Sequence, residues 1–414
     1  MTDRFNRLVF FLPARGLGIA LIAGLVWAAS ALAGPRITGT ASVWAYARED
    51  SVKHVQAVPA LSFVARDCAH RDLHFEGSLR GFTDLRHDKS EDRQLRILRA
   101  VFVYEPHGTP WELRLGQQWL SEGVGRGNVA GAWIRYRLKK TSFTAFGGSR
   151  LQTSLSVQEK NPLQGYAAGV HVRSRIQRYN VGVSYFYEGK GEDLLYQAAG
   201  VDAAGRVHKS LDLRARLEMN VEQSTVERGQ LLAQWRARQD VLISAEFRTQ
   251  TPRIYEDSFF TIFLKEASTT YARAAARWTF YKTFYAKAGG MTLFSESPDP
   301  LYKVRAALGH PNLEIGYTHW LSVAKGVMNG LYAQASYRFT EKYDAFGGYD
   351  FSTGSNADPD LRATTESHAA YLGGSATPIP ALTVMLRVEQ LRDLERSEDW
   401  RGLLGLTTRF SNLR

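Results

Sequence analysis

Cysteine is nearly missing from this chain: its 414 residues include one, Cys68. A lone thiol closes no internal disulfide. With no CxxC or CxxCH there is also no Cys-based metal cluster and no c-type haem attachment on this chain. Cys68 sits in the turn Arg66-Asp67-Cys68-Ala69-His70, where it reads as incidental. Proline is scarce at 13, while glycine reaches 36, a balance that suits tight hairpins and close-packed strands. After residue 34 no continuous apolar stretch is long enough to cross a bilayer as a helix. No repeat of 20–50 residues is visible, which counts against a propeller or solenoid.

Other features are abundant. Aromatic residues make up 12%, with 19 Tyr and 9 Trp, types that favour strands and membrane–water interfaces. Lys and Arg number 52 against 41 Asp and Glu, a net charge of +11. Mean hydropathy is −0.28. That value rejects a helical membrane protein but not a barrel, whose strands turn half their side chains to a polar lumen.

The first segment reads as an address. Arg4, Arg7 and Arg15 form a basic start, Leu17 to Val26 is apolar, and Ala31-Leu32-Ala33 is an A-x-A site before Gly34. The expectation is a cleaved signal peptide over 1–33 and a mature domain over 34–414. The rival is an N-terminal membrane anchor, and the small residues at the end of the run favour cleavage. No cysteine follows the site, which argues against a lipoprotein.

From Gly34 onward the dominant period is two. In 207–219, Leu211, Leu213, Ala215, Leu217 and Met219 alternate with Asp212, Arg214, Arg216 and Glu218. The same pattern runs through 226–238, 240–250 and 269–280, and through 71–80, 110–118, 131–139, 164–175 and 381–390. Connections alternate as well. Pro106-His107-Gly108-Thr109, Lys139-Lys140 and Tyr281-Lys282 are short; 85–93, 120–130, 151–163, 251–268, 352–364 and 392–399 are longer and more polar. This rhythm predicts an all-β, transmembrane, antiparallel up-and-down β-barrel of about 22 strands (range about 16–22) in the outer membrane, with short periplasmic turns and longer external loops. The least regular strands are 53–66, which contains Pro59, and 194–202. A soluble sandwich shares the alternation; export, the loop rhythm and aromatics near strand ends tip the balance. Those aromatics include Trp44, Tyr46, Trp119, Trp278, Phe280 and Trp320, placed in interfacial girdles.

No catalytic arrangement emerges. GxSxG, Walker and HExxH patterns are missing, and no enzyme, cofactor or metal is expected. Gly123-Val124-Gly125-Arg126-Gly127 lies between strands rather than before a helix, so it reads as a flexible or inward-folded loop. His74 reads as a solvated polar residue. The sign of the polar face is more informative. Read as lumen, it carries Arg114, Arg135, Arg137, Arg173, Arg175, Arg214, Arg216, Arg228, Arg236, Arg238, Arg248, Arg273 and Arg277, opposed chiefly by Glu76, Glu112, Glu218, Glu246 and Glu389. Such charges often form a mutually paired, solvated wall. The excess of Arg still implies a positive interior that favours anions. Sixteen to eighteen strands already leave an aqueous channel, so loops such as 120–130 and 251–268 must fold inward, or a partner must fill the pore.

In general plan the mature region resembles the outer-membrane porin superfamily. A narrower likeness rests on Glu112-Leu113-Arg114-Leu115-Gly116-Gln117-Gln118 followed by Gly131-Ala132-Trp133-Ile134-Arg135-Tyr136. It resembles the RLGRQ…DG signature of alginate-export-type porins, with Gln117 in place of Arg and Ala130 in place of Asp. The segment Gly402 to Phe410 resembles the C-terminal signal strand of outer-membrane proteins, departing from it in the four residues after Phe410. The likenesses assign no substrate; with the Arg-rich face they lead to the expectation of a passive channel for small hydrophilic, anionic solutes, surrounded by lipid and lipopolysaccharide. The alternative is a sheath for a partner such as a periplasmic or extracellular multihaem cytochrome. Nucleic acid is not expected as a partner.

Overall fold

Alternating side chains build one closed antiparallel sheet. The computed structural model describes residues 36–49, 54–85, 94–151, 155–156, 163–251, 268–294, 300–322, 326–355, 365–392 and 398–412. The expected signal peptide and most of the longer loops lie outside the described residues, loop 251–268 among them.

The strands, in chain order, are β1 (Arg36–Glu49), β2 (His54–Arg66), β3 (Leu73–Asp84), β4 (Gln94–Tyr104), β5 (Trp111–Glu122) and β6 (Gly125–Arg137). Next come β7 (Thr141–Leu151), the two-residue β8 (Leu155–Ser156), β9 (Leu163–Ile176), β10 (Tyr179–Lys190), β11 (Asp193–His208) and β12 (Leu211–Asn220). They continue as β13 (Thr225–Arg236), β14 (Val241–Gln250), β15 (Thr269–Phe280), β16 (Phe284–Phe294), β17 (Leu301–His310) and β18 (Leu313–Ser322). The last are β19 (Gly326–Thr340), β20 (Tyr343–Ser355), β21 (Thr365–Ile379), β22 (Leu382–Arg392) and β23 (Asp399–Ser411).

Apart from β8, each long strand pairs antiparallel with its neighbours in sequence, and β1 pairs with β23 from Thr38↔Ser411 to Glu49↔Trp400. The ladder therefore has no free edge. Setting β8 aside, 22 long strands form the wall, as the sequence predicts. The two irregular segments, 53–66 and 194–202, lie in β2 and β11. All turns on one rim are short, the longest being 67–72 and 105–110, and both described chain ends, Arg36 and Asn412, lie on that rim.

Bulges interrupt several ladders, and one departure from regular pairing shapes the lumen. β4 pairs with β5 only over Ala100–Tyr104, and farther along the wall Arg96 and Ile97 pair with Ser156 and Leu155 of β8. β8 thus closes the gap that opens where the β5–β6 hairpin leaves the wall.

Candidate functional site in the lumen

Three glycines crease the sheet. Gly116, Gly131 and Gly148 face one another across β5, β6 and β7. A Cβ at Gly131 would sit 2.5 Å from Gly148 Cα, and one at Gly148 would meet Gly131 Cα at the same distance. Gly116 has φ +131°, open only to glycine, and a Cβ there would press on the β4 backbone. Beyond the crease the hairpin continues to its two-residue turn, Gly123-Val124, and that tip lies inside the barrel.

The tip is placed by inner-face partners. On β10 and β11, Val183 (57% exposed) and Val201 point outward, so Ser184 and Gly200 point inward. The Val124 amide donates to Ser184 Oγ at 3.0 Å. Gly200 provides the space that the Val124 side chain occupies. Arg126 Nη2 donates to Glu218 Oε1 on β12 at 2.7 Å, and Arg216 donates to the Gly123 carbonyl and pairs with Glu218.

Apolar packing supports these contacts. Leu120 and Val124 of the tip join Val129, Trp133, Phe146, Ala167, Phe186, Tyr196 and Ala198 in one buried cluster. This barrel has a small hydrophobic core inside its lumen. Burial of Leu120 and Val124 contributes about 1.5–3 kcal/mol each.

A charged network surrounds this core. Glu122 accepts from Arg135 Nη2 at 2.7 Å, and its other oxygen lies 3.1 Å from His171 Nδ1. His171 Nε2 faces Asp202 Oδ1 at 3.5 Å, and Arg173 Nη2 faces Asp202 Oδ2 at 3.5 Å. Arg114 and Arg137 both bind Glu112, which is buried. The Arg114 and Arg135 guanidiniums lie over the Trp133 ring at 4.6 and 4.5 Å from its centroid. Nearly every cation in this quarter has a carboxylate or an aromatic face.

The wall beyond β12 is different. Arg228 and Arg248 donate to Gln230 and Gln250, neutral amides, and Glu218, which faces Arg228 across the β12–β13 ladder, is engaged by Arg126 and Arg216. In register Arg216 pairs with Gln230 and Gln230 with Arg248, while Arg228 pairs with Gln250, so the three arginines are diagonal neighbours. Among the described residues no carboxylate lies within ion-pair distance of Arg214, Arg228, Arg236, Arg248 or Arg277. Farther round, cations lie flat on inward rings: Arg277 and Lys287 on Tyr285, Lys303 on Trp320 and Arg305 on Tyr332. Arg273 pairs with Glu246, and Glu314 collects Lys287 (2.5 Å), Tyr285 (2.7 Å) and Tyr332 (2.9 Å).

Strand alternation places all thirteen sequence-predicted arginines except Arg238 on the inner face. Arg238 lies in the β13–β14 turn and pairs with Asp240 at 3.1 Å; the strand ends at Arg236, two residues too early to carry it into the lumen. The two readings of the Arg face, a mutually paired wall and an excess of positive charge, apply to different sectors. Arg114, Arg135, Arg137, Arg173, Arg216 and Arg273 are paired, and the excess charge concentrates on β12–β15. The 120–130 segment folds inward, one of the readings the sequence left open, and does so as a continuation of β5 and β6 rather than as a loop. Trp44 and Trp320 leave the girdles for the lumen, where Trp44 packs on Gly405 and Trp320 lies under Lys303. Trp119 projects from the hairpin face opposite Leu120. The sequence reading missed Glu122, His171 and Asp202. The apolar pair Leu120 and Val124, in a segment taken for a polar loop, was the available signal.

The outer surface decides what surrounds the barrel. Leu372 is 70% exposed, and Val170, Leu231, Phe247, Ile315, Leu331 and Leu386 are exposed with it. Toward the short-turn rim the belt gains aromatic neighbours, Trp111 on Tyr136 (4.4 Å), Trp278 on Phe280 (5.2 Å) and Tyr337 on Phe339 (5.0 Å). An apolar exterior with an interfacial aromatic band is built for lipid. The chain is an outer-membrane β-barrel of the Gram-negative type.

Solved structures agree on the fold. The barrel superimposes on the siderophore receptor PirA from Pseudomonas aeruginosa with a TM-score of 0.60 at 10% identity, covering 91% of this chain and 81% of that one. For a mutant of the ferric enterobactin receptor PfeA from the same organism the values are 0.59, 8%, 91% and 81%. The outer-membrane protein OpdK, also from P. aeruginosa, gives 0.41 at 11% identity, covering 92% and 99%. No protein-family model and no curated protein matches the chain, so the likeness to alginate-export-type porins gains no support.

Proposed function

We propose that this barrel is a passive channel for small hydrophilic solutes, that the β5–β6 hairpin narrows it, and that its lumen prefers anions. The observation that carries this reading is the group Arg214, Arg228 and Arg248, which have no carboxylate partner, on the wall next to the hairpin tip. A solute passing the tip crosses a surface where arginines outnumber Glu218 and Glu246, which favours a positive potential. Guanidinium groups bind carboxylates and phosphates in bidentate fashion, which suits small organic anions.

The test is single-channel recording of the refolded barrel in a planar bilayer under a salt gradient. The wild type should show a reversal potential favouring anions. Combined Arg228→Glu and Arg248→Glu substitution should move that potential toward cations, with conductance nearly unchanged, and the matching Gln pair should fall between. Cation preference in the wild type, or a very large unselective conductance, overturns the filter and favours a barrel that encloses a partner.

A further inference from the structure

Charge on the short-turn rim is unevenly distributed. Four of five consecutive turns, β6–β7, β9–β10, β11–β12 and β15–β16, present exposed Lys139 and Lys140, Arg178, Lys209 and Lys282, while β13–β14 between them carries the paired Arg238. Among the described residues none of these has a carboxylate within ion-pair distance. The acidic groups in the same sector, Asp212 and Asp240, are already taken by Arg206 (3.4 Å) and Arg238 (3.1 Å). Across the mouth acidic groups are more numerous: Arg36 pairs with Asp67 at 2.7 Å, Asp72 lies within ion-pair distance of Arg71, and Glu341 and Asp344 flank Lys342.

From this asymmetry we infer that the crescent over β6–β16 is a docking surface for an acidic periplasmic protein seated in the mouth of the barrel. Two arguments fix that occupant. The first is reach. Strands lie about 4.8 Å apart, so successive turns are about 10 Å apart and five of them span about 40 Å. A small anion touches one or two such cations; only a macromolecular face engages the crescent. The second is shape. The basic surface continues past the rim to Arg175 and Arg236, exposed inner-face positions near the ends of β9 and β13. A phospholipid headgroup outside the barrel cannot reach these. A convex acidic surface entering the mouth contacts the rim and the inner wall together. Short turns face the periplasm in outer-membrane barrels, which places the crescent where such a protein resides.

The test uses the full-length chain in living cells. Arg178, Lys209 or, as a control in the β17–β18 turn beyond the end of the crescent, Asn312 is replaced by a photo-crosslinking amino acid, and the adducts are identified by mass spectrometry. One protein of net negative charge should attach through Arg178 and Lys209 but not through Asn312. Combined Lys139→Glu and Lys140→Glu should abolish the adduct. With the identified protein purified, those substitutions should weaken its binding to the wild-type barrel about tenfold, as should raised salt. If the Glu pair blocks insertion, Lys139→Gln with Lys140→Gln replaces it and should give a smaller loss in the same direction. Adducts with lipid or cell-wall glycan, equal yield at Asn312, or no adduct at all overturns the proposal.

Discussion

Two sectors of one wall handle the same residue type differently. In β5–β12 the inward arginines, Arg175 and Arg214 excepted, meet a folded-in hairpin and pair with Glu112, Glu122, Glu218 and Asp202. In β15–β18 no hairpin among the described residues faces the wall, and inward cations lie instead on the rings of Tyr285 and Trp320. A strand pattern decides only that an arginine points inward. What opposes it decides whether its charge is cancelled, held flat or left free. The free charges fall at the seam between these sectors, on β12–β14, beside the hairpin tip.

The strongest way to break the contrast is to remove the hairpin from the lumen. Deleting 118–127 should raise single-channel conductance about two- to three-fold, because the cross-section then approaches that of an unobstructed barrel. Unchanged conductance would show that the tip does not set the narrowest section. A smaller lesion acts on the crease. Gly131→Val places a branched side chain against the Gly148 backbone and should cost about 1–3 kcal/mol. Its signature is partial: some channels open to the deletion level while others keep the wild-type level. Next comes the network under the tip. Glu122→Gln leaves Arg135 and His171 facing a neutral amide and should destabilise the tip by about 2 kcal/mol, less than a fully buried pair because Arg135 is partly exposed. Limited proteolysis near Gly123 should then accelerate while the barrel stays folded. Equal cleavage rates would remove Glu122 from the account.

The opposite sector predicts smaller effects. Trp320→Ala releases Lys303 from its ring, an interaction worth about 0.5–1 kcal/mol. Freed from the wall, the ammonium should extend into the lumen and lower conductance slightly. A rise instead would mean that the bulk lost from Trp320 outweighs the freedom gained by Lys303.

The fold was legible because strand period and loop rhythm are local properties, repeated some twenty times around the ring. Even β2, with Pro59, follows them, since its neighbours fix its place. An inward turn of 120–130 was one reading the sequence left open; its hairpin form and the wall it packs on were not legible, for a physical reason. Residues 118–127 keep an extended, alternating pattern, but the surface they bury against is supplied by β9–β12, far along the chain. Nothing near Leu120 in sequence marks Phe186 and Ala198 as its partners. The arginines were legible one by one as inward, while their pairing was not, because cross-wall pairs such as Arg126–Glu218 depend on the fold of the tip. Arg238 shows the remaining error. Where a strand stops is set by a two-residue difference that periodicity does not resolve.

The finest test of the comparison lies where the hairpin sector meets the periplasmic rim. Glu105, in the β4–β5 turn, accepts from Arg137 Nη1 at 2.8 Å, and this hydrogen bond holds its carboxyl below the usual range. A lowered carboxylate stabilises the fold above the unfolded value, near pH 4.3, and that contribution disappears as pH falls through the folded value. Both partners are about half exposed, so screening limits the pair to about 0.5 kcal/mol. Glu105→Gln should therefore lower the urea midpoint slightly at neutral pH, and the difference should shrink as pH falls below the unfolded value and through the lowered folded one. The pair with buried Glu112 keeps Arg137 in place in either case. A pH-independent difference would mean that the loss comes from turn geometry rather than charge. A loss well above 0.5 kcal/mol would mean that the rim helps hold the hairpin sector together and does not merely border it.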